Sequence, residues 1–577
     1  MLQVKNLTIY HKKDLRPLVS DLSFTLNDGD RAAVIGEEGN GKSTLLKLLY
    51  DPILVEDYAE YHGEILKNHT VCGYLPQELS VMDRQKDIYT FLSEEPAFLE
   101  TDYRELASMA GKLGICTDLL YSDSRMAQLS GGEKIKIQLI RIMVMHPDLF
   151  LLDEPSNDID IETLKWLETF INECPFPVLY ISHDETLLEH TANMILHMEQ
   201  LKRKTQSQCT VFRTGYQEYV ELRQKSIDRQ TRLAQEEKAA YEKQQEKFRK
   251  IHDKVEHQQA VISRQNPGGA RLLKKKMHAV KSMERRFEKQ AENMTRRPDI
   301  EEAIFFRFAR GEGIPAGKWV IDYDLPLLTA GRRELAHDIR IQVKGSEKIC
   351  IIGKNGAGKT TLLRLIAGQL LERTDIRAAY MPQNYEELLD LDKTPVAYLS
   401  QTWEWQLPEH GAASPETSPE PYAAAVYDAT APEKADPHSP APYAAFLSKP
   451  QLADSPMPRQ GRPRALTKEE LTKIRTYLGS MKYTVQEMDH AIRDLSGGQK
   501  AKLLLLKMSM EHRNVLILDE PTRNFSPLSG PVVRALLQDF PGAIISVSHD
   551  RKYIREVCDR VLELGRDGLI PVPETAL

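Results

Sequence analysis

The chain has 577 residues, 41% hydrophobic and 28% charged, with a formal net charge of −7. That length allows about two to four domains with separate cores. No apolar run approaches the roughly 18 residues needed to cross a bilayer. The opening Met1-Leu2-Gln3-Val4-Lys5 lacks the basic-then-apolar form of a secretion signal, so no membrane pore and a cytoplasmic setting are expected. Six cysteines, at 72, 116, 174, 209, 350 and 558, form no Cys-x-x-Cys pair, which argues against a metal knuckle or a disulfide framework.

In chain order, residues 1 to about 205 read as a first α/β unit. Arg31-Ala32-Ala33-Val34-Ile35, Leu149-Phe150-Leu151-Leu152 and Val178-Leu179-Tyr180-Ile181 are short continuous apolar runs that suit buried parallel strands. Each is followed by a polar motif: a phosphate loop, Gly36-Glu37-Glu38-Gly39-Asn40-Gly41-Lys42-Ser43; then Asp153-Glu154; then Ser182-His183-Asp184. Leu129-Ser130-Gly131-Gly132-Glu133 precedes the second run.

Residues about 217–294 read as helical. Val220, Ile227, Ala234, Tyr241, Phe248, Val255 and Ile262 recur every seventh position. Asn266-Pro267-Gly268-Gly269 interrupts them, and Leu273, Val280, Met283 and Phe287 give a second stripe, so an antiparallel helical hairpin is expected. At 1.5 Å per residue its first arm spans about 65 Å. Residues 201–300 hold 25 Lys+Arg against 13 Asp+Glu, while the remainder holds 52 against 71. A basic arm thus joins acidic bodies, a distribution that favours contact with nucleic-acid phosphates through the arm. The boundaries read as 1–205, 206–300 and 301–577.

The third segment repeats the first. It carries Gly353-Lys354-Asn355-Gly356-Ala357-Gly358-Lys359-Thr360, Leu495-Ser496-Gly497-Gly498-Gln499, Asp519-Glu520 and Ser548-His549-Asp550. Ser130 to Glu154 and Ser496 to Glu520 are both 24 residues, and Glu154 to His183 and Glu520 to His549 are both 29. Matched spacing of this kind identifies a duplicated ATPase module. A Pro/Ala/Ser/Glu-rich stretch at about 406–464 cannot bury a core and reads as a disordered insert.

The chemistry follows from the residue types. Backbone N–H groups of Gly36, Gly39, Asn40 and Gly41, and of Gly353, Asn355, Gly356 and Gly358, are suited to wrap phosphates at a helix N-terminus. Lys42 and Lys359 add positive charge, and Thr44 and Thr361 extend the nucleotide contacts. Ser43 with Asp153, and Thr360 with Asp519, are candidate Mg²⁺ ligands, with Gln77 and Gln383 placed to sense metal and water. Glu154 and Glu520 are candidate general bases, and His183 and His549 candidate γ-phosphate contacts.

This ordered set resembles the ATP-binding cassette superfamily. Tandem cassettes, a charged helical linker, Gly215-Tyr216-Gln217-Glu218-Tyr219 before it and Ile304-Phe305-Phe306-Arg307-Phe308 after it resemble the ABC-F subfamily. The resemblance implies that Ser496, Gly497 and Gly498 complete the ATP site at Lys42, and that Ser130, Gly131 and Gly132 complete the one at Lys359. It further implies a monomer with intramolecular pairing, and a ribosome partner whose rRNA and tRNA meet residues about 235–290. Translation factor and antibiotic-resistance ribosomal protection both remain open, and the alternative is the ATP-binding subunit of a transporter with separate membrane partners. By the same resemblance Tyr10 stacks on an adenine. The family's usual final Asp after the catalytic Glu is present as Asp160 but replaced by Ser526 in the second copy, which implies unequal sites.

Overall fold

The computed structural model describes residues 1–67, 70–201, 206–261, 267–292, 308, 313–331, 333–404 and 467–573. The expected insert at 406–464, Ile262, Arg264, Asn266 and residues 304–307 lie outside them.

The first cassette opens with strands β1 (Leu2–His11) and β2 (Pro17–Leu26) and continues through β3 (Arg31–Ile35), helix α1 (Lys42–Tyr50), β4 (Ala59–Leu66) and β5 (Cys72–Leu75). After several short helices come α2 (Gly131–Met143), β6 (Leu149–Asp153), α3 (Ile161–Glu173), β7 (Val178–Ile181), α4 (Glu185–Thr191), β8 (Met194–Gln200) and β9 (Gln206–Phe212). The main sheet has the order β5-β6-β7-β3-β8-β9, parallel except for β9. Its strands are continuous apolar runs because both faces are covered. Ala32, Val34, Leu149 and Leu151 face a layer built by the antiparallel sheet β2-β1-β4 and by α1, whereas Ala33, Ile35, Phe150 and Leu152 face the helices. The expected boundary after residue 205 falls one strand early: β9 pairs with β8 from Ile195↔Phe212 to Gln200↔Ser207 and belongs to this sheet. Gln206–Phe212 is too polar to carry the apolar signature of a buried strand, since it lies at the sheet edge.

Two long helices follow, α5 (Tyr216–Val261) and α6 (Pro267–Glu292). They pack through the expected stripes: Ala234, Val255 and Val280 are buried, and Phe287 meets Tyr241 and Phe248 edge-on at 6.2 and 5.4 Å. Val220 and Met283 stay exposed. Pro267, Gly268 and Gly269 form the first turn of α6, where a proline lacks nothing by having no N–H. Lys274, Lys275, Lys276, Arg285 and Arg286 are exposed.

The second cassette contains β10 (Trp319–Ala330), β11 (Arg333–Lys344), β12 (Lys348–Ile352), α7 (Lys359–Leu371), β13 (Ala378–Met381), α8 (Gly497–Met510), β14 (Val515–Asp519), α9 (Gly530–Gln538), β15 (Ala543–Val547), α10 (Arg551–Val557), β16 (Arg560–Gly565) and β17 (Gly568–Val572). Its sheet order, β13-β14-β15-β12-β16-β17, repeats the first strand for strand. The architecture is α/β, two P-loop cassettes joined by a helical hairpin, and no helix among the described residues is long and apolar enough to cross a membrane.

The cassettes meet along a charged seam. Arg534 on α9 pairs with Glu185 at 2.5 Å, both nearly buried at 4% and 7% side-chain exposure. Lys552 reaches Glu185 and Glu189, and Arg551 reaches Glu168 and Asp184. Tyr216, at the root of α5, donates its hydroxyl to the Pro527 carbonyl at 3.2 Å, so the hairpin base touches both cassettes.

Candidate functional site

Each phosphate loop joins the central strand to a helix, β3 to α1 and β12 to α7. Glycine is required at the strand exit: a Cβ on Gly36 would lie 2.2 Å from the Met198 carbonyl oxygen, and one on Gly353 2.7 Å from that of Leu564. Both have positive φ, 150 and 144. Lys42 donates to the carbonyls of Gly36 and Glu37 at 2.7 and 3.1 Å, and Lys359 to those of Gly353 and Lys354 at 2.8 and 3.0 Å. Asn40 is 1% exposed and its side chain donates to the Met198 carbonyl, bolting the loop to β8. Tyr10 pairs with Pro17 on β2, and neighbouring Arg16 reaches the Gly39 carbonyl, so this hairpin end lies beside the first loop.

Ser43 donates to Asp153 at 2.9 Å, with Tyr74 on the other carboxylate oxygen at 3.4 Å. Burial raises Asp153 to about 6. Asp519 is 1% exposed, and neither of its carboxylate oxygens makes a hydrogen bond of normal geometry among the described residues. A hydroxyl and a buried carboxylate at each loop are hard oxygen donors, a set that fits Mg²⁺. Gln77 donates to Glu154 at 2.9 Å, and Gln383 crosses to Asp158 of the first cassette at 3.2 Å.

Glu154 and Glu520 each adopt the left-handed region, φ 50 and 51. For a non-glycine residue this is a costly conformation, typical of functional positions. Their surroundings differ. Burial opposes charge on Glu154, but His183, Lys42 and Asn157 outweigh it and hold the carboxyl at about 2. His183 Nε2 lies 3.2 Å from Glu154, and its Nδ1 lies 2.8 Å from the Phe525 carbonyl of the other cassette. Glu520 is pushed up to about 8 by burial and then by Asp519. Arg523 stands where the first copy has Asn157, so the amide donor is missing. His549 Nε2 is 3.8 Å away, and burial, then Lys359, lowers that imidazole to about 3.

The Ser-Gly-Gly segments start α2 and α8 as capping boxes. Ser130 Oγ accepts from the Glu133 N–H while the Glu133 carboxylate accepts from the Ser130 N–H, and Ser496 and Gln499 do the same. Gly131 and Gly498 sit tight against the loops after Glu154 and Glu520, where an added Cβ would meet the Asp158 carbonyl at 1.9 Å and the Asn524 carbonyl at 2.7 Å.

These starts face the opposite phosphate loop. One cavity of 1260 Å³ is lined by Lys359, Thr360, Thr361, Gln383, Glu520 and His549 from one side and by Ser130, Gly131 and Asp158 from the other. Asn355 donates to the Asp158 carbonyl at 2.6 Å. On the pseudo-equivalent side, the Gly498 N–H donates to Glu38, and Glu37 is held by Ser526, Ser529 and Lys502. Sequence reasoning passed over Glu37, Glu38, Asp158, Lys502 and Ser529, because partners of theirs lie hundreds of residues away, and also Asn157, although its partner Glu154 is only three residues before it. The one available signal was two acids in a loop meant for phosphate.

The sequence model of the ABC transporter family matches residues 19–157 and 336–523. The chain therefore belongs to the ATP-binding cassette family, as an ATPase, and its relatives include members of the F group. It is 23% identical to ABC transporter F family member 2 of Arabidopsis thaliana, over 96% of this chain and 75% of that one. It is 25% identical to the Ribosome protection protein VmlR of Bacillus subtilis, over 97% and 86%. Among solved structures, the archaeal ribosome recycling factor aABCE1, in complex with ribosomal stalk protein aP1, superposes with a TM-score of 0.53 over 99% of this chain and 90% of that one. At 15% identity, that likeness establishes the fold.

Proposed function

We propose that this protein is a cytoplasmic ATPase that acts on the ribosome, closing its two cassettes on ATP and thereby moving its basic hairpin against ribosomal RNA and tRNA. The carrying observation is the shared cavity, in which Lys359, Thr360 and Glu520 face Ser130 and Gly131 of the other cassette. Relatives named for ribosome protection and ribosome recycling, together with the exposed basic side chains of α6, support the ribosome as target.

In this reading each ATP lies between a phosphate loop and the opposite capping-box serine. Lys42 and Lys359 hold the phosphates, with Gly36, Gly39, Gly41 and Thr44 on one side and Gly353, Gly356, Gly358 and Thr361 on the other. Ser43 and Asp153, and Thr360 and Asp519, hold Mg²⁺, which neutralises phosphate charge. Glu154 and Glu520 orient and deprotonate the attacking water, and His183 and His549 reach the γ-phosphate from the ends of β7 and β15. The proposed bodies are residues 1–212 and 313–573, with the hairpin between them; pairing is within one chain.

The test is sedimentation. Replacing Glu154 and Glu520 together with Gln is expected to lower ATP turnover by roughly 10²- to 10⁴-fold, the usual worth of a general base. In ATP this variant should pellet with ribosomes, and lose that binding when residues 240–285 are deleted. Pelleting with membranes and never with ribosomes would favour a transporter subunit and sink the proposal.

A further inference from the structure

The two cross-cassette contacts are not equivalent, and the difference is carried by two acids. At the second loop the residue after the first glycine is Lys354, which meets Glu162 at 3.0 Å, and the next is Asn355. The interface carboxylate there is Asp160, which accepts from Thr163 at 3.0 and 2.7 Å and from the Asn355 N–H at 3.4 Å. At the first loop the arrangement is inverted. The position equivalent to Asp160 is Ser526, and the carboxylate comes from across the interface: Glu37 accepts from Ser526 at 2.7 Å and from Ser529, the counterpart of Thr163, with Lys502 at 3.4 Å. The acid absent after Glu520 has thus moved to the phosphate loop of the other cassette. Lys502 and the two serines outweigh burial and hold Glu37 at about 2. Beside it, Glu38 accepts from the Gly498 N–H at the start of the 14-residue helix α8, a donor set that favours anions. Asn355, at the same position of the second loop, brings no charge.

We propose that Glu37 and Glu38 form a built-in anionic clasp across the first site, so that ATP entering there must displace Glu38 from the α8 N-terminus, whereas the second loop, bridged to Asp158 through the uncharged Asn355, places no acid in the path of the phosphates. The second site is then the one that ATP enters more readily. This rests on the composite-site reading above.

The full-length chain with Lys359→Ala loads only the first site, and adenylyl imidodiphosphate with Mg²⁺ is the probe. Glu38→Asn is expected to tighten first-site binding about tenfold, the fold-change equivalent of one charge-assisted hydrogen bond, and to leave the second site, read with Lys42→Ala, unchanged. Unchanged or weaker first-site binding overturns the clasp. Ser496→Arg in the Lys359→Ala background probes the composite reading by itself: if only this variant is silent, that reading has failed, and the clasp falls with it. Glu37 is tested by exchange. Glu37→Ser and Ser526→Asp are each expected to widen the nucleotide-free particle in small-angle scattering, and the double variant to restore it. If a single variant does not fold, the double still decides: a double as expanded or unstable as the singles overturns the proposal.

Discussion

Glu154 and Glu520 occupy equivalent positions with the same strained backbone, yet their carboxyls are driven in opposite directions, to about 2 and about 8. The consequence for nucleotide-free stability has opposite signs. Glu154 ionises more readily folded than unfolded, so its contribution is present above its unfolded pKa of 4.5 and is lost as pH falls toward 2. Glu520 holds its proton more tightly folded, so its contribution is present below 4.5 and is lost as pH rises through 8. Glu520→Gln is therefore expected to raise the denaturation midpoint at about pH 9 but not at about pH 4, whereas Glu154→Gln lowers it at about pH 9. Denaturant titrations with chelator and no nucleotide check both. Equal responses of the two variants at high pH would refute the asymmetry.

The elements were legible to different depths. Runs such as Leu149–Asp153 announced buried parallel strands because both faces of that sheet are covered. The seven-residue stripes announced the paired helices. The layer of β1, β2 and β4 carried no motif and was not foreseen, and β9 was given to the linker because an edge strand lacks a buried second face. The hairpin itself is held by a thin seam. Phe287 touches both Tyr241 and Phe248, and such edge-on pairs contribute about 0.5–1.5 kcal/mol each beyond area burial. Phe287→Ala is expected to open the arm to limited proteolysis within residues 216–292, with cassette fragments remaining intact. Unaltered protease resistance would show that the seam is held elsewhere.

Across the whole molecule, the acid–base seam around Glu185 joins bodies that share no sheet. Removing Glu185 leaves the buried Arg534 with Glu556 alone and Lys552 with Glu189, so Glu185→Ala is expected to cost about 1.5–3 kcal/mol, the worth of hydrogen bonds to a charged group, while replacing Glu185 and Arg534 together with Met costs less. Equilibrium unfolding of the two variants separates a structural tie from a decorative pair. The duplicated ATPase chemistry was readable because phosphate loops and acidic strand ends are local patterns. The apposition of the copies was read only through family resemblance, since contacts such as Glu37 with Ser526 join positions that sequence spacing does not relate.

Tyr216 gives this assembly its gearing. Its hydroxyl rests on Pro527, one residue beyond Ser526 and two before Ser529, the pair that grips Glu37. That turn therefore bears on the root of a 46-residue helix, where a displacement of it would act. With about 69 Å of rod beyond it, a swing of about 5° at the pivot carries the far end about 6 Å, near the spacing of successive nucleotides. In the proposed cycle, an ångström-scale adjustment at one phosphate loop would become a stroke on the scale of the RNA the hairpin is proposed to touch.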